Sequence, residues 1–305
     1  MPEEKTSTWR QLLTWQDQVL GREQALNAGM TKHMWDWRLA HGWTRLGDGV
    51  AVAHRGTPTQ RQLWWAAVIK AGAGALLSGD AALTACQLKG LKTSWIDVVV
   101  PSDRQVKDFT VGGAQVRVHR VARPERWRTG VRGLPMTNAH ASALLAGAWT
   151  KSPEVAERRI AQTVQQQLCA VVTFRATLKQ MPKHPRRQLL LEVFDDVAMG
   201  AHAGSELRYL RFCRKHGIPE PDEMQVKVRT SGTRYLDARY KRQRVSAEID
   251  GGYHRESETW DADALRSLEL AVASRETREL QIRVTCFNMR HREASTAKLL
   301  RELLC

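Results

Sequence analysis

The sequence predicts a mixed α/β protein of the α+β kind in three parts. A helical N-terminal unit closed by a hairpin occupies residues 1–56, an α-rich middle domain with a small sheet residues 57–200, and a C-terminal domain built on a mixed sheet residues 201–305. Three observations carry this reading. Eight of the eleven tryptophans precede residue 100, which sets the front of the chain apart in composition. The apolar period is helical over long stretches but turns to alternation across residues 225–250, the mark of half-buried strands. A chain of 305 residues has room for two or three domains, each with its own core.

Composition narrows the class further. With 42% apolar and 26% charged residues the sequence is an ordinary globular one, which excludes wholesale disorder and collagen-like repetition. The cysteines, Cys86, Cys169, Cys213, Cys286 and Cys305, are odd in number, scattered and without a CxxC pair, so neither a disulfide framework nor a zinc cluster is expected. The first residues lack the charged-then-apolar design of a signal peptide. The longest apolar stretch, Leu63 to Leu77, is interrupted by Lys70 and by glycines. A cytoplasmic protein without a membrane span is the expectation.

At the front, residues 7–20 form a helix-like run. Arg22 to Ala28 gives a second short helix ended at Gly29, a residue suited to the left-handed position that follows a helix. Thr31 can cap a third helix, TKHMWDWRLAH, which stops at Gly42. The run WTRLGDGVAVAHRG then reads as two short strands about a Gly-Asp-Gly turn. Three helices and a hairpin in this order describe a winged helix-turn-helix, whose last helix enters the major groove of DNA while the hairpin touches the backbone. Lys32, His33 and Arg38 are the donors in that helix, and Arg45 is the phosphate candidate in the wing. Trp35 and Trp37 cannot both face one core, so at least one is expected at the surface or at an interdomain contact, and a protein partner for this tryptophan-rich region rivals DNA.

In the middle, Gln60–Ala71 and Gly79–Leu88 read as helices, Trp95–Val100 and Ala114–Val121 as strands, and the remainder as mainly helical. Ser152 before Pro153 and Glu154 is a helix start, because serine caps and proline suits the first turn. The basic excess is concentrated here: 18 Lys and Arg against nine Asp and Glu over residues 81–200, compared with nine against seven over 1–80 and 20 against 16 over 201–305. Alternation puts Arg117 and His119 on one strand face, and with Arg120, and Arg126 and Arg128 in a basic loop beyond, these are candidate phosphate contacts. A solvated sheet face explains the same pattern. His140 and Ser142 have no identifiable acid partner, so a hydrolase triad is not expected.

The C-terminal part begins with an amphipathic helix, SELRYLRFCRKH, in which Ser205 is read as the cap and Glu206 as a first-turn acid, closed by Gly217 and Pro219. Gln225–Arg229, Arg234–Tyr240 and Val245–Asp250 follow as three strands in hairpin succession. Gly251 and Gly252 break the run, His254 follows, Asp261–Ser274 reads as a helix, Leu280–Phe287 as a further strand and Ala294–Leu304 as a closing helix. An acid at the end of an apolar strand must be solvated, paired or metal-bound. Asp237 and Glu248 approach one another if their strands are hairpin neighbours, with Glu206 supplied by the preceding helix. Carboxylates so clustered repel unless a divalent cation neutralises them, and hard oxygen ligands with open positions suit Mg²⁺. Ion pairs with neighbouring arginines account for Asp237, Glu248 and Asp250 individually, and Lys241 in the hairpin turn is a further phosphate candidate.

Glu206 in a helix, Asp237 on a strand, Glu248-Ile249-Asp250-Gly251 with His254, and then Asp263 and Arg266 together resemble the very-short-patch-repair-like endonuclease domain, a branch of the PD-(D/E)XK nuclease superfamily. The resemblance covers residues 200–305. The whole chain also resembles actinobacterial proteins that place a winged helix of the AbiEi-antitoxin type before such a domain. What the resemblance implies is a restriction-endonuclease-like sheet with Asp237 and Glu248 as metal ligands, Mg²⁺ or Mn²⁺ as cofactor, Glu206 and Asp250 as accompanying acids, and His254 as a general base or phosphate contact. The broad superfamily has lysine two residues after the second acid. This chain has Asp250 there, which with His254 fits the repair-like branch and leaves the base open.

A net charge of +15 makes DNA the expected partner. The expected function is metal-dependent hydrolysis of phosphodiester bonds. The alternative is a non-catalytic DNA-binding regulator, antitoxin-like, that retains an inactive nuclease-like domain.

Overall fold

The computed structural model describes residues 8–91, 95–198, 201–229, 233–250 and 278–305, and shows a mixed α/β chain with twelve α-helices and three sheets among them. It divides into two compact units, Met1–Lys151 with Gln165–Pro185, and Ser152–Val164 with Arg186–Cys305. No helix among the described residues is long and apolar enough to cross a membrane.

The first unit opens with α1 (Trp9–Trp15), β1 (Val19–Gly21), α2 (Arg22–Asn27), α3 (Lys32–His41), β2 (Thr44–Gly47) and β3 (Val50–Val52), the strands forming an antiparallel sheet in the order β1-β3-β2. Three helices thus precede the β2–β3 hairpin, and β1 adds a third strand to it. Local chemistry sets its boundaries. Thr8 and Gln11 form a reciprocal capping box on α1. The Thr31 hydroxyl accepts the Met34 N–H at 3.1 Å, and Gly29 takes φ +87° after α2, where a side chain would be strained. Strand β1 is absent from the sequence reading, since three residues are too few to show a period. Trp9, Leu13, Leu20, Ala25, Met30, Trp35 and Trp43 make a core beneath α3.

The chain continues with α4 (Gln60–Ala71), β4 (Leu76–Ser78), α5 (Gly79–Ala85), β5 (Trp95–Pro101), β6 (Phe109–Val111), β7 (Ala114–Val121), a 3₁₀ turn at Pro124–Trp127, β8 (Arg128–Val131), β9 (Leu134–Thr137) and α6 (Ala139–Trp149). After α7 (Pro153–Gln165) it returns to this unit as α8 (Val171–Lys179). The sheet is larger than the small one read from sequence: six strands in the order β6-β7-β5-β4-β9-β8, mixed in direction. The β1-β3-β2 sheet and the six-stranded sheet also share a core. Val19, Val50 and Val52 of the three-stranded sheet cluster with Trp64 and Trp65 of α4 and with Val98, Val100 and Met136 of the six-stranded sheet. Asp17, in the turn before β1, receives Trp65 Nε1–H at 3.0 Å and the Arg61 guanidinium, which also donates to the Val131 and Arg132 carbonyls at 3.0 and 2.8 Å.

The second unit contains α7, α9 (Arg187–Ala198), α10 (Ala201–His216), β10 (Glu223–Arg229), β11 (Thr233–Tyr240), β12 (Val245–Asp250), β13 (Leu280–Thr285), α11 (Cys286–His291) and α12 (Glu293–Leu304). Its sheet runs β10-β11-β12-β13, with the first two pairings antiparallel and the last parallel. The expected hairpin succession is present. Two local expectations change. Helix α10 starts at Ala201, so Ser205 is a buried residue within the helix and not its cap, because Ala201 and Ala203 extend the helix at little cost. The strand expected to reach Phe287 ends at Thr285, whose hydroxyl caps α11 by accepting the Asn288 N–H at 3.0 Å. Glu157 ties α7 to α11 through buried pairs with Arg290 and His291.

Candidate functional site

Alternation along β11 and β12 sorts their side chains into two sets. Leu236, Ala238 and Tyr240, with Val245, Ala247 and Ile249, take one face, and all but Leu236 cluster with Tyr209, Phe212 and Cys213 of α10 and with α11 and α12. On that face the Tyr209 and Tyr240 hydroxyls share a 2.9 Å hydrogen bond, and burial pushes both phenols and the Cys213 thiol above their ordinary pKa values. Asp237 and Glu248 belong to the opposite set.

These two acids are neighbours. The β11–β12 register pairs Tyr240 with Val245, Arg239 with Ser246 and Ala238 with Ala247, so the next position on each strand is Asp237 and Glu248. Asp237 Oδ2 accepts the Ile249 N–H at 2.7 Å, which fixes the carboxylate against the backbone next to Glu248. Both are buried, at 7% and 8% exposure, far below the usual exposure of acids. The same line crosses the whole sheet. Gln225, between the Met224–Ala238 and Val226–Leu236 pairs, stands opposite Asp237, and Arg283 of β13 pairs in register with Glu248. Arg283 Nε lies 4.0 Å from Glu248 Oε2. Gln225 has φ +55°, within the left-handed region, and its amide donates to Glu206 of α10.

Of the acids read from sequence, then, Asp237 and Glu248 occupy adjacent positions on neighbouring strands, while Glu206, on α10, accepts from Gln225. Asp250 ends β12 in register with Thr285. His254, Asp263 and Arg266 lie outside the described residues. Arg239 is engaged by Glu279, with Nε–Oε1 at 2.6 Å, and by Glu223 at 3.7 Å. Among the described residues no set of three or more His, Cys, Asp or Glu side chains is placed to hold an ion. Two hard carboxylates on adjacent strands still match what Mg²⁺ asks of a protein, since that ion keeps several waters and takes one or two carboxylates. Gln225 and Arg283 were missed in the sequence.

The basic candidates are distributed differently. Lys32, Arg45, Arg117, Arg120, Arg126 and Arg128 are exposed on the first unit. Arg38 is half-buried, with its guanidinium 5.7 Å from the Trp9 ring and 5.6 Å from the Trp37 ring. Trp35 is buried at 3% and Trp37 is 50% exposed, as the helix spacing requires. The ridge read on β7 is not a line of free cations. His119 bonds to Asp97 at 2.8 Å and stacks on Trp149 at 3.5 Å, Arg117 lies 3.5 Å over Trp95, and Arg120 takes the opposite strand face. The basic loop beyond is the 3₁₀ turn and the β8–β9 hairpin, in which Arg126 donates to the Arg123 carbonyl at 3.0 Å. Lys241 pairs with Glu223 at 2.5 Å. Ser142 is fully buried and shares a 2.7 Å hydrogen bond with Thr137 Oγ1.

Neither a protein-family model nor a curated protein matches the chain.

Proposed function

We propose that the protein is a cytoplasmic, DNA-binding, metal-dependent nuclease whose hydrolytic site is the Asp237–Glu248 pair. The observation that carries this is the burial of two carboxylates on adjacent central strands, one locked by the Ile249 N–H. Hard carboxylates on neighbouring strands are the kind of donor that Mg²⁺ takes from a protein. Asp237 and Glu248 would hold Mg²⁺ or Mn²⁺, and the bound ion supplies Lewis-acid polarisation of a phosphodiester and a water of lowered pKa. The chain's own contribution is orientation. The Ile249 N–H fixes Asp237, the strand ladder fixes Glu248, and the Gln225 amide holds Glu206 on α10. Asp250 and His254 supply further acid or base groups in this reading. DNA is gripped by the exposed Lys32, Arg45, Arg117, Arg120, Arg126 and Arg128 of the first unit, with Arg38 and Lys241 in support.

Cleavage of plasmid and single-stranded DNA in Mg²⁺ or Mn²⁺ tests the proposal. Glu248→Gln is expected to lose more than about 100-fold in rate, since even a residue that only orients a metal ligand is worth 10–100-fold. Equal rates for the two proteins, or no cleavage by wild type in either metal, would reject it. A second reading, a non-catalytic DNA-binding regulator, is favoured by the three helices and β2–β3 hairpin of the first unit with their exposed Lys32 and Arg45. It predicts metal-independent DNA retardation with no cleavage.

A further inference from the structure

We infer that the exposed face of α3 is a stacking site for the unpaired bases of single-stranded DNA, centred on Trp37. The inference rests on DNA as the partner and names the form of DNA that the first unit takes. Helical spacing puts His33, Trp37 and His41 in one row, each four residues from the next, and all three are exposed. The Trp37 indole, 50% exposed, is stacked with the His41 imidazole, their centroids 4.6 Å and their planes 16° apart. His41 Nδ1–H donates to the Trp37 carbonyl at 2.9 Å, so the two rings are set before a ligand arrives. Cations adjoin these rings. The Arg38 guanidinium lies 5.6 Å from the Trp37 ring and 5.7 Å from the Trp9 ring, and Arg10 lies 4.4 Å from Trp9. Arg10, Trp9, Arg38 and Trp37 thus alternate cation and ring from α1 to α3.

The chemistry of this surface selects its ligand. Helices α1 and α3 and residues 53–57 carry Arg10, Lys32, Arg38 and Arg55 against one acid, Asp36. Arg55 donates to the Leu39 and Ala40 carbonyls at 3.2 and 2.7 Å and steadies the end of α3. A polyanion complements that charge, and aromatic rings with cations beside them are how single strands are held. Paired bases are read by their edges, chiefly by Arg, Lys, Asn and Gln, and none of these stands in the His33–Trp37–His41 row. A base within a duplex has both faces covered by its neighbours, whereas an unpaired base has a face free for the indole. The other exposed tryptophans differ. Trp15, 70% exposed, has no ring or cation contact among the described residues, and Trp95, 38% exposed, has the Arg117 guanidinium 3.5 Å over its ring.

The test uses the full chain and fluorescence anisotropy with two probes, a short oligo(dT) strand and a mixed-sequence duplex of equal length, in EDTA at one salt concentration. The variants are Trp37→Ala, Trp37→Leu and Trp37→Phe, with Trp15→Ala as the exposed tryptophan outside the row. Expected is a loss of about 5- to 150-fold in oligo(dT) affinity for Ala and Leu, the contribution of one stacked base, with partial retention in Phe. Duplex affinity in every variant, and oligo(dT) affinity in Trp15→Ala, are expected within about twofold of wild type. Leu keeps apolar bulk without a π face, and unchanged thermal midpoints in Leu and Phe tie the loss to the ring and not to the fold. Wild-type oligo(dT) affinity in Trp37→Leu, or an equal loss in Leu and Phe, overturns the stacking site and leaves DNA as the partner. So does an equal loss for strand and duplex, or a wild type that binds the duplex and not the strand. A wild-type dimer that Trp37→Ala dissociates, with oligo(dT) affinity unchanged, makes the row an interface between copies and overturns the site too. Failure of wild type to bind either probe removes DNA as the partner and the stacking site with it.

Discussion

Asp237 has two separable tasks, and its neighbours show how to separate them. One oxygen accepts the Ile249 N–H at 2.7 Å, a structural bond that keeps the β11–β12 ladder satisfied beyond the Ala238–Ala247 pair. Its charge, beside Glu248, is the part a metal would use. Asn preserves an oxygen acceptor at the same place and removes the charge. Ala removes both and leaves a buried N–H without a partner, a loss of about 1–3 kcal/mol. Urea unfolding followed by far-UV circular dichroism should therefore rank Asp237→Ala below Asp237→Asn by about that amount, while both lose cleavage. Equal stabilities for the two variants would show that the Ile249 bond contributes nothing to the fold. A cleaving Asp237→Asn would detach the charge from the chemistry.

Helix α3 carries two tryptophans two residues apart, hence on different faces, and the structure assigns them different work. Trp35 is buried at 3% exposure and meets Trp43 edge-on with centroids 5.6 Å apart. Trp37 is 50% exposed and stacks on His41 at 4.6 Å. Trp35→Ala should cost about 3–5 kcal/mol, the range for a large buried aromatic, and Trp37→Ala should stay within about 0.5 kcal/mol. Thermal unfolding of the two variants checks this, and a destabilised Trp37→Ala would mean that the exposed ring is packed in solution. The same scale shows what the sequence reveals and what it hides. Helix α4 is legible to its ends because the Thr59–Gln62 capping box and Gly72 are local signals. Strands β4, β6, β8 and β9 are three or four residues long, too short for a period, and β4 finds its partners far along the chain, as in Leu77 with Met136. The Asp237–Glu248 pair is legible because a four-residue turn joins consecutive antiparallel strands and so sets their register. Arg283 is hidden for the converse reason. Its parallel register with Glu248 is set across residues 251–279, and no local signal spans that interval.

Across the whole molecule the net charge of +15 divides unequally between the two units. The first carries 23 basic and 11 acidic residues and the second 24 and 21, so unit one holds +12 of the excess and unit two, with the paired acids, only +3. A phosphodiester enzyme of the kind proposed needs both properties, positive charge along the backbone it grips and negative charge where a cation is to sit, and the two units differ in this sense through their acids, 11 against 21, and not through their basic residues. The separation has a measurable signature. Affinity for duplex DNA should fall with salt on a log–log slope of about −0.9 per phosphate contacted. Replacing Arg120, Arg126 and Arg128 together by Gln should flatten that slope by about one for each residue that touches a phosphate. Glu248→Gln, which adds no contact of its own in the absence of metal, should leave the slope unchanged in EDTA. Titrations by fluorescence anisotropy from about 50 to 200 mM salt, the interval over which counterion release dominates, decide the matter. A slope insensitive to the triple substitution would move the DNA-binding surface away from the β7–β8 region, and a slope near zero for wild type would remove DNA as the partner that the net charge implies.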